Sequence, residues 1–306
     1  MAVQAKIYSD LDELVSYRHL TKQRTLAHQQ KLLAATSGEQ HAIRKGRGMS
    51  FSEVRQYQAG DDIRHIDWKV TARTQKAHTK IFVEERERPT LIVTEQTPAL
   101  FFGSQVRLKT SQALNLASIL AWTSLHQNER VGGLVFDAHH TSGLSPKRSK
   151  HAVLSYLQSA LHLQSQLQRP EPNRAESWHR ALQSLAELIR PGSKIYLIGD
   201  MVQLLSSAKE TLSQLSRHND LVALHLFDPL DKELPELGWL TLATHFDSPP
   251  VRIDSFRAQT RQAYQAAYQT QWQQAQEQMR QLNIPLVEVN NHLDPLQQLL
   301  QYGVLH

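Results

Sequence analysis

The sequence predicts an α/β domain with a mostly parallel sheet, and two observations carry that prediction. From Thr90 onward, short apolar runs alternate with stretches of helical periodicity, the order typical of parallel strands joined by crossover helices. The apolar runs are residues 91–93, 131–136, 195–198, 221–227 and 286–289. The helical stretches place apolar side chains three and four residues apart, as in 113–125 and 182–189. Pro191 and Gly192 then end the second helix just before a strand.

Two further helical regions lie outside this alternation. The broken helical spacing of leucines over 11–35 predicts one or two short helices before the sheet. Residues 259–281 contain ten glutamines, but six other side chains step down one face at helical intervals: Tyr264, Tyr268, Trp272, Ala275, Met279 and Leu282. We interpret this region as an amphipathic helix docked on the domain, with a polar outer face.

The composition describes a globular protein without cysteine chemistry. The 306 residues are 40% apolar and 21% charged, which suits one large domain or two smaller ones. The lack of cysteine excludes disulfides, thiol nucleophiles and iron–sulfur clusters. The net charge is +5, and residues 41–88 carry most of it, with eleven Lys and Arg against seven Asp and Glu. Because these acids oppose the bases, we expect no nucleic-acid partner.

The sequence contains neither an export signal nor a membrane span. The first 14 residues include Asp10, Asp12 and Glu13 and have no apolar core, unlike a secretory signal. The most apolar helical stretch, 113–125, is interrupted by polar residues and is shorter than the roughly 20 residues that cross a bilayer. We therefore expect no export and no membrane insertion.

Common enzyme motifs are absent from the sequence. Gly46-Arg47-Gly48 lacks the third glycine of a dinucleotide fingerprint, and no GxxxxGK[ST] phosphate loop occurs. No GxSxG or HExxH motif is present either, and the adjacent His139 and His140 are predicted to lie in an exposed loop after a strand. A nucleotide-binding site is therefore not supported.

Acidic residues follow four of the predicted strands. Glu95, Asp137, Asp200 and Asp228 stand where parallel strands end, and ligands of open α/β sheets collect at that edge. Such acids either hold a hard cation such as Mg²⁺ or cap the following helices by accepting hydrogen bonds from free backbone N–H groups. For each acid taken alone, we favour the capping interpretation.

The segment 46–74 mixes charges and aromatics in a way that suits neither a core strand nor a solvated loop. Its charged residues include Arg55, Asp61, Asp62, Arg64, Asp67, Lys69 and Arg73, around Phe51, Tyr57, Ile63, Ile66 and Trp68. One interpretation is an ion-pair network that anchors the segment to the α/β domain through a buried Trp68. The other is a recognition surface whose aromatic and Arg side chains engage a partner. We favour the two equally.

This segment resembles the domain of unknown function 58 family. The family pattern is a glycine-containing start and a Phe, then Leu-Arg-x-Tyr, Gly-Asp-Asp, Arg, Ile-Asp-Trp-Lys and Ala-Arg. Here it is Gly48, Phe51, Val54-Arg55-Gln56-Tyr57, Gly60-Asp61-Asp62, Arg64, Ile66-Asp67-Trp68-Lys69 and Ala72-Arg73. The resemblance continues through Phe102-Gly103-Ser104, Lys109 and Arg130-Val131-Gly132, and it is clear over 46–136.

The resemblance implies a von Willebrand factor A-like domain, with a doubly wound, mainly parallel sheet between helices. It also implies a metal-ion-dependent adhesion site, in which Asp-x-Ser-x-Ser after the first strand and a later Asp begin a Mg²⁺ shell. Here the corresponding residues are Glu95, Thr97 and Ala99, with Asp200 as the later aspartate. Adjacent first and fourth strands would bring Glu95, Thr97 and Asp200 together. The longer side chain of Glu95 and the missing hydroxyl at Ala99 predict a degenerate site. We expect this site to bind no cofactor, or to bind Mg²⁺ only weakly.

The resemblance implies a function exercised through partners. Proteins of this family are typically encoded beside MoxR-type AAA+ ATPases, so we expect a non-enzymatic adaptor that presents a client to such an ATPase. Other von Willebrand factor A-domain proteins are a second expected class of partner. The expected partner-contacting residues are Arg55, Tyr57, Asp61, Asp62, Arg64, Asp67, Trp68, Lys69 and Arg73. The rival hypothesis is a metal-dependent hydrolase or nuclease that uses the acids at the strand ends.

The expected organisation has three parts. Residues 1–40 form a helical N-terminal stretch, residues 41–88 form the family motif segment packed on the main domain, and residues 89–306 form the α/β domain. Many members of the resembled family carry two N-terminal membrane helices, which this sequence does not show. Because this sequence does not show these helices, we expect a cytoplasmic location.

Overall fold

A computed structural model describes residues 7–27, 29–37, 53–57, 66–81, 88–168, 176–242 and 249–306. The chain divides into two compact units. The larger unit combines Met1–Gln40 with Arg88–His306, and the smaller unit is His41–Glu87. The N-terminal residues therefore belong to the same unit as the α/β domain.

Two helices open the larger unit, as the leucine spacing predicts. Helix α1 (Leu11–Leu20) begins at Asp10, whose side chain accepts a hydrogen bond from the backbone N–H of Glu13. Helix α2 (Gln29–Ser37) follows. The acids in the first turn of α1 interact favourably with the positive end of its dipole.

The smaller unit contains a two-stranded antiparallel sheet and one short helix. Strand β1 (Glu53–Gln56) pairs with β2 (His78–Ile81), and helix α3 (Trp68–Thr74) lies between them in the chain. Asp67 caps α3 by accepting hydrogen bonds from the backbone N–H groups of Lys69 and Val70. The backbone N–H of Asp67 donates to the carbonyl of His78, which fixes the start of the helix beside β2.

The sheet of the larger unit has six strands and is mainly parallel. Its strands are β3 (Thr90–Glu95), β4 (Val131–Phe136), β5 (Thr141–Lys147), β6 (Lys194–Gly199), β7 (Asp220–Phe227) and β10 (Leu286–Asn290). Their order across the sheet is β10-β7-β6-β3-β4-β5, and only the edge strand β5 runs antiparallel to its neighbour. The sequence-predicted α/β architecture with a mainly parallel sheet is confirmed.

Helices cover both faces of this sheet, because adjacent residues of each buried strand point to opposite faces. Ile92 belongs to one core, packed under α1 and two further helices, whereas Leu91 and Val93 belong to the other. The helices of the first face are α4 (Lys109–His126) and α5 (Lys150–Ser165), with α10 (Pro295–Gln301) beside α4. Those of the second face are α6 (Glu176–Ala186), α7 (Met201–Ser216) and α9 (Ala258–Gln281).

Each of the five predicted apolar runs forms a strand of this sheet, and the glutamine-rich region forms α9. Ala275 and Met279 of α9 are buried, while the glutamines stay largely on its outer side. Besides β1 and β2 of the smaller unit, three strands of the larger unit were not predicted. They are β5 and the antiparallel hairpin of β8 (Trp239–Leu242) and β9 (Val251–Asp254), which follows the one-turn helix α8 (Pro229–Lys232). His139 and His140 lie in the turn before β5, as expected.

Close packing of strands β3 and β4 depends on a residue without a side chain. A Cβ atom at Gly133 would overlap the backbone of Ile92 on the neighbouring strand, where neither chain can move without breaking the ladder. At Gly143 of β5, an added Cβ would meet only the side chain of Leu188, with its Cδ1 methyl group closest. The two positions therefore differ in how easily the surroundings adjust.

We predict that Gly133→Ala lowers the free energy of unfolding by about 3 kcal/mol, the upper range for overpacking a core. The matched variant Gly143→Ala should cost less than about 1 kcal/mol, because a flexible side chain can yield. Urea unfolding of the two variants measures both values. Equal costs would contradict the close approach of β3 and β4.

Candidate functional site

The winding direction of the sheet reverses between β3 and β6, which are adjacent in the sheet although they lie far apart in the chain, at Thr90–Glu95 and Lys194–Gly199. The register pairs Thr94 with Ile198, so that both strands end side by side. Glu95 therefore lies next to Asp200, and Thr97 follows within two residues. This is the crevice where open α/β sheets bind ligands. The structure brings together the three residues that the resemblance marks.

Glu95 is fully buried at this crevice, and both of its carboxylate oxygens accept hydrogen bonds. Oε1 accepts from the Thr97 hydroxyl at 2.6 Å. Oε2 accepts from the indole Nε1 of Trp178 at 3.1 Å and from the backbone N–H of Asp200 at 2.8 Å. Burial, and secondarily the negative charge of Asp200, raises the pKa of Glu95 to about 7, although these hydrogen bonds oppose the shift.

The surroundings of Glu95 are shaped to its side chain. A Cβ atom at Gly199 would overlap the Glu95 carboxylate and contact the Trp178 ring, so this position must remain glycine. Trp178 is completely buried and packs edge-on against Phe136, with the ring centroids 4.7 Å apart. The indole is therefore held in place to donate its hydrogen bond to Glu95.

Asp200 serves as the N-cap of α7. Its Oδ1 accepts hydrogen bonds from the backbone N–H groups of Val202 and Gln203 at 3.0 and 3.2 Å. The buried His225 lies beside it, with Nδ1 3.8 Å from Asp200 Oδ1, and this nitrogen accepts a hydrogen bond from the backbone of Met201. Burial lowers the pKa of His225 against the opposing charge of Asp200, and its ring stacks on Trp272. The capping interpretation of Asp200 is confirmed.

The donor groups around Glu95 do not suit a magnesium ion. Two N–H groups point at Oε2, so that the positive ends of their dipoles occupy the direction from which a cation would approach. The Oδ1 atom of Asp200 is engaged by the first turn of α7. Among the residues that the structure describes, no three His, Asp or Glu side chains are grouped so as to hold a metal ion.

A second buried carboxylate, Asp228, joins three loops at the same edge of the sheet. It accepts hydrogen bonds from the Ser104 hydroxyl at 2.6 Å, the Asn291 amide at 2.8 Å and the His292 Nε2 at 2.9 Å. It also caps α8 in a capping box with Asp231. Burial raises the pKa of Asp228, but the hydrogen bonds from Ser104, Leu230 and Asn291 outweigh it and hold the pKa at about 2.

Ser104, His292 and Asp228 are the residue types of a catalytic triad, but their geometry differs from one. In a triad the two ring nitrogens of His face Asp and Ser separately. Here the single nitrogen His292 Nε2 faces both Asp228 at 2.9 Å and the Ser104 oxygen at 3.3 Å. The hydroxyl proton of Ser104 is donated to Asp228. The cluster therefore ties the loops after β3, β7 and β10 together and does not activate the serine.

The motif residues in the smaller unit are placed in part. Arg55 lies in β1, Tyr57 follows that strand and is half-buried, and Asp67 caps α3. Lys69 and Arg73 are exposed on α3. Three further motif residues lie outside the described residues: Asp61, Asp62 and Arg64. The proposed ion-pair network among these charges stays a prediction.

Trp68 corrects the expectation of a buried indole. Its side chain is 69% exposed, because Trp68 is the first residue of α3 and none of the seven residues of that helix is buried. An aromatic residue at the start of a short capped helix points outward unless another element covers it. The interpretation of Trp68 as a buried anchor is therefore wrong.

Comparison with known families decides the affiliation of the chain. Residues 53–274 match the family model described as "Protein of unknown function DUF58". The chain belongs to the DUF58 family. The match includes residues 53–87 of the smaller unit, the carboxyl edge with Glu95, Asp200 and Asp228, and most of α9.

Relatives of this DUF58 chain include the uncharacterized proteins Mb1516 of Mycobacterium bovis and Rv1480 of Mycobacterium tuberculosis. Each is 26% identical over 71% of this chain and 67% of its own length. A crystal structure of the conserved hypothetical protein BatB from Bacteroides thetaiotaomicron is 16% identical, covers 71% of this chain and 96% of its own, and has a TM-score of 0.43. An aerotolerance-related membrane protein from Bacteroides fragilis is also 16% identical, over 69% of this chain and 94% of its own, with a TM-score of 0.38.

The expectation of a cytoplasmic location is wrong, because membrane proteins are among the matched structures. Besides the Bacteroides fragilis protein, a match described as a membrane spanning protein from Vibrio fischeri is 10% identical, over 70% of this chain and 97% of its own, with a TM-score of 0.20. None of the helices in the described part of the DUF58 chain is long and apolar enough to cross a membrane.

Sequence reasoning missed the partners of the two buried carboxylates. Trp178 lies 83 residues from Glu95 in the chain, and no motif marks it as a donor. Gly199 carried a signal, because a glycine directly before an acid at a strand end is typical of close backbone approach. His292 was one of many scattered histidines, and only the fold brings it to Asp228.

We predict that Glu95→Gln changes how stability depends on pH. The ordinary pKa of Glu is 4.5, and burial raises that of Glu95 to about 7, so the folded protein holds a proton that the unfolded chain releases between these values. The stabilisation that this proton gives to the folded state is fully present below about pH 4.5. It is lost as the pH rises to about 7, which lowers the free energy of unfolding by about 3 kcal/mol. The glutamine variant should lack that loss in urea unfolding across this range.

The exposed Glu233→Gln variant is the matched control, since it removes a carboxyl group at the surface. Its pH profile should follow that of the unmodified protein. If Glu95→Gln and the unmodified protein show the same profile, Glu95 is not buried as the structure has it.

Proposed function

We propose that this protein is a non-enzymatic adaptor that works with a MoxR-type AAA+ ATPase by protein–protein contact. The observation that carries this proposal is the exposed surface of α3, formed by Trp68, Lys69 and Arg73 within the family motif. We further propose that the α/β unit is a von Willebrand factor A-like domain. The client of the pair is a protein that the ATPase matures or remodels.

The α3 surface has the composition of an interaction site. Lys69 and Arg73 are four residues apart and share one side of the helix, with the exposed Trp68 next to them. Tryptophan and arginine are the residue types that dominate binding energy at protein interfaces. An indole flanked by two cations suits a partner surface that offers an apolar pocket rimmed by carboxylates.

The state of the acids at the strand ends favours an adaptor over a hydrolase. Glu95 and Asp228 accept hydrogen bonds from side chains and backbone of the chain itself, and Asp200 and Asp228 cap helices. A metal-dependent hydrolase needs carboxylate oxygens directed at a cation with an open coordination position. At this crevice both oxygens of Glu95 and the Oδ1 atom of Asp200 instead accept hydrogen bonds from within the chain.

Strand order supports the proposed von Willebrand factor A-like type. The first parallel strand β3 lies beside the fourth strand of the sheet in chain order, β6, and the antiparallel strand β5 forms one edge. Glu95, Thr97 and Asp200 lie where the resemblance expects a metal-ion-dependent adhesion site. In this proposal hydrogen bonds have replaced the ion at that site.

We predict that Trp68→Ala and Arg73→Glu each weaken binding to a MoxR-type ATPase of the same organism at least tenfold, as loss of an interface anchor does. Binding should also differ between ATP, ADP and no nucleotide, because a remodelling motor must engage and release its adaptor. Pulldown and calorimetry with the purified ATPase measure both effects. The melting temperature should not change, since both side chains are exposed.

The control is Lys209→Glu, which reverses an exposed charge on α7 of the larger unit. It should bind the ATPase as the unmodified protein does. If Trp68→Ala and Arg73→Glu bind the ATPase as tightly as the unmodified protein does, α3 is not part of the interface. Metal-dependent hydrolysis of a phosphoester that is lost in Asp200→Ala would replace the adaptor with the hydrolase.

We also predict that Mg²⁺ and Mn²⁺ bind at Glu95, Thr97 and Asp200 no more tightly than about 1 mM, because the N–H groups at Glu95 oppose a cation. Isothermal titration calorimetry measures the affinity. Micromolar binding that disappears in Asp200→Ala would show that the carboxylates rearrange around an ion.

A further inference from the structure

The amino edge of the sheet, where its parallel strands begin, carries a concentration of positive charge. Its turns hold eight Lys and Arg but three Asp and Glu. These turns are residues 88–89, 127–130, 147–151, 187–194 and 217–220. The strand pairing places them side by side in the order β7, β6, β3, β4, β5, across about 20 Å at the usual strand spacing.

Two of the three acids at this edge are already neutralised. Glu129 pairs with Lys194, and Asp220 pairs with Arg88 at 2.9 Å. No carboxylate in the described part of the chain pairs with the bases that remain at Arg130, Lys147, Lys150, Arg190 and Arg217. All of these except the half-buried Arg130 are exposed. The edge therefore presents cations whose charge nothing in the described residues balances.

The charged surface extends over the end of α1. That helix runs parallel to α4, since Ser9 contacts Ser111 at one end and His126 contacts the Arg18 carbonyl at the other. The turn after α1 therefore lies at the amino edge, where the backbone N–H of Leu26 donates to Gln127. This turn adds two cations and no acid: Lys22 and Arg24.

Helix dipoles do not explain the densest part of this surface. Arg217 follows the C-terminus of α7, where a cation is favourable. Lys147, Arg148 and Lys150 instead surround the N-terminus of α5, where the helix dipole opposes positive charge. The dipole of α5 therefore does not account for Lys147 and Lys150, whereas a role at the surface does.

The surface lacks the features of a protein or nucleic-acid interface. Protein interfaces centre on exposed apolar or aromatic anchors. The exposed large apolar side chains of the described residues all lie outside these turns, as do the exposed aromatic rings on which single-stranded bases would stack. A broad field of bases also differs from a groove or a single helix shaped for duplex DNA.

We propose that the amino edge binds the anionic headgroups of a phospholipid bilayer. A bilayer is flat, is negatively charged when it contains phosphatidylserine or similar lipids, and attracts clustered Lys and Arg without requiring an apolar anchor. Binding at this edge orients the carboxyl edge, with Glu95, Asp200 and Asp228, away from the lipid. This surface is formed by residues of the larger unit, whereas α3 belongs to the smaller unit, so its role goes beyond the proposed adaptor function.

The test is co-sedimentation of the full chain with vesicles of phosphatidylcholine containing about 30 mol % phosphatidylserine, at low salt. We expect binding that is lost in about 0.5 M salt and is absent with phosphatidylcholine alone. The triple variant Lys150→Gln, Arg190→Gln and Arg217→Gln should lower the partition coefficient roughly a hundredfold. Its melting temperature should not change, because these side chains are exposed and unpaired within the described chain.

The control triple variant is Lys209→Gln, Arg252→Gln and Arg257→Gln, which removes the same charge from exposed positions outside the amino edge. It should change vesicle binding less than about threefold. Equal losses in the two triple variants would overturn the proposal in favour of net charge alone. Absence of binding to the anionic vesicles would also overturn it, as would tighter binding to a DNA duplex that the first triple variant abolishes. Loss of ATPase binding in the α3 variants bears on the adaptor function only, so the two failures are distinguishable.

Discussion

The carboxyl edge of this protein depends on one buried carboxylate, Glu95. An ionised carboxyl group in a dry interior costs several kcal/mol unless hydrogen bonds compensate it. Here the hydroxyl of Thr97, the indole of Trp178 and the backbone N–H of Asp200 provide part of that compensation from three separate segments, and burial still raises the pKa of Glu95 to about 7. Because all three donors bind the same carboxylate, Glu95 links the segments that carry them. The end of β3, helix α6 and the start of α7 are therefore positioned by a single side chain.

Asp228 is a second buried carboxylate at the carboxyl edge, and its hydrogen bonds also join separate segments of the chain. Open α/β sheets bind ligands there because the N–H groups of the following helices are free. In this chain Asp200 and Asp228 accept those N–H groups at α7 and α8, and further donors from Ser104, Asn291 and His292 converge on Asp228. A crevice with several acids thus becomes a set of internal contacts, and acid clusters at this edge need not imply catalysis.

The sequence predicts the strands well and their polar contacts poorly, for a physical reason. Buried parallel strands leave a clear apolar run, as in 131–136 and 221–227, because both faces must be covered. The edge strand β5 leaves no such run, since it is only half covered and contains Gly143 and Pro146. The donors to Glu95 are invisible for another reason: Trp178 reaches it only through tertiary packing. Trp68 misled because an aromatic beside charges fits a buried anchor and an exposed contact equally.

The distribution of charge between the two edges follows in part from helix dipoles. Acids suit the carboxyl edge, where α7 and α8 begin, and Arg217 suits the amino edge, where α7 ends. Strand β5 breaks this pattern, because its antiparallel direction places the N-terminus of α5 at the amino edge. Dipoles alone would then call for acids beside α5, yet Lys147, Arg148 and Lys150 are found there. The reversal of one edge strand therefore places positive charge where the dipole of the following helix does not favour it, and helix dipoles do not account for Lys147 and Lys150.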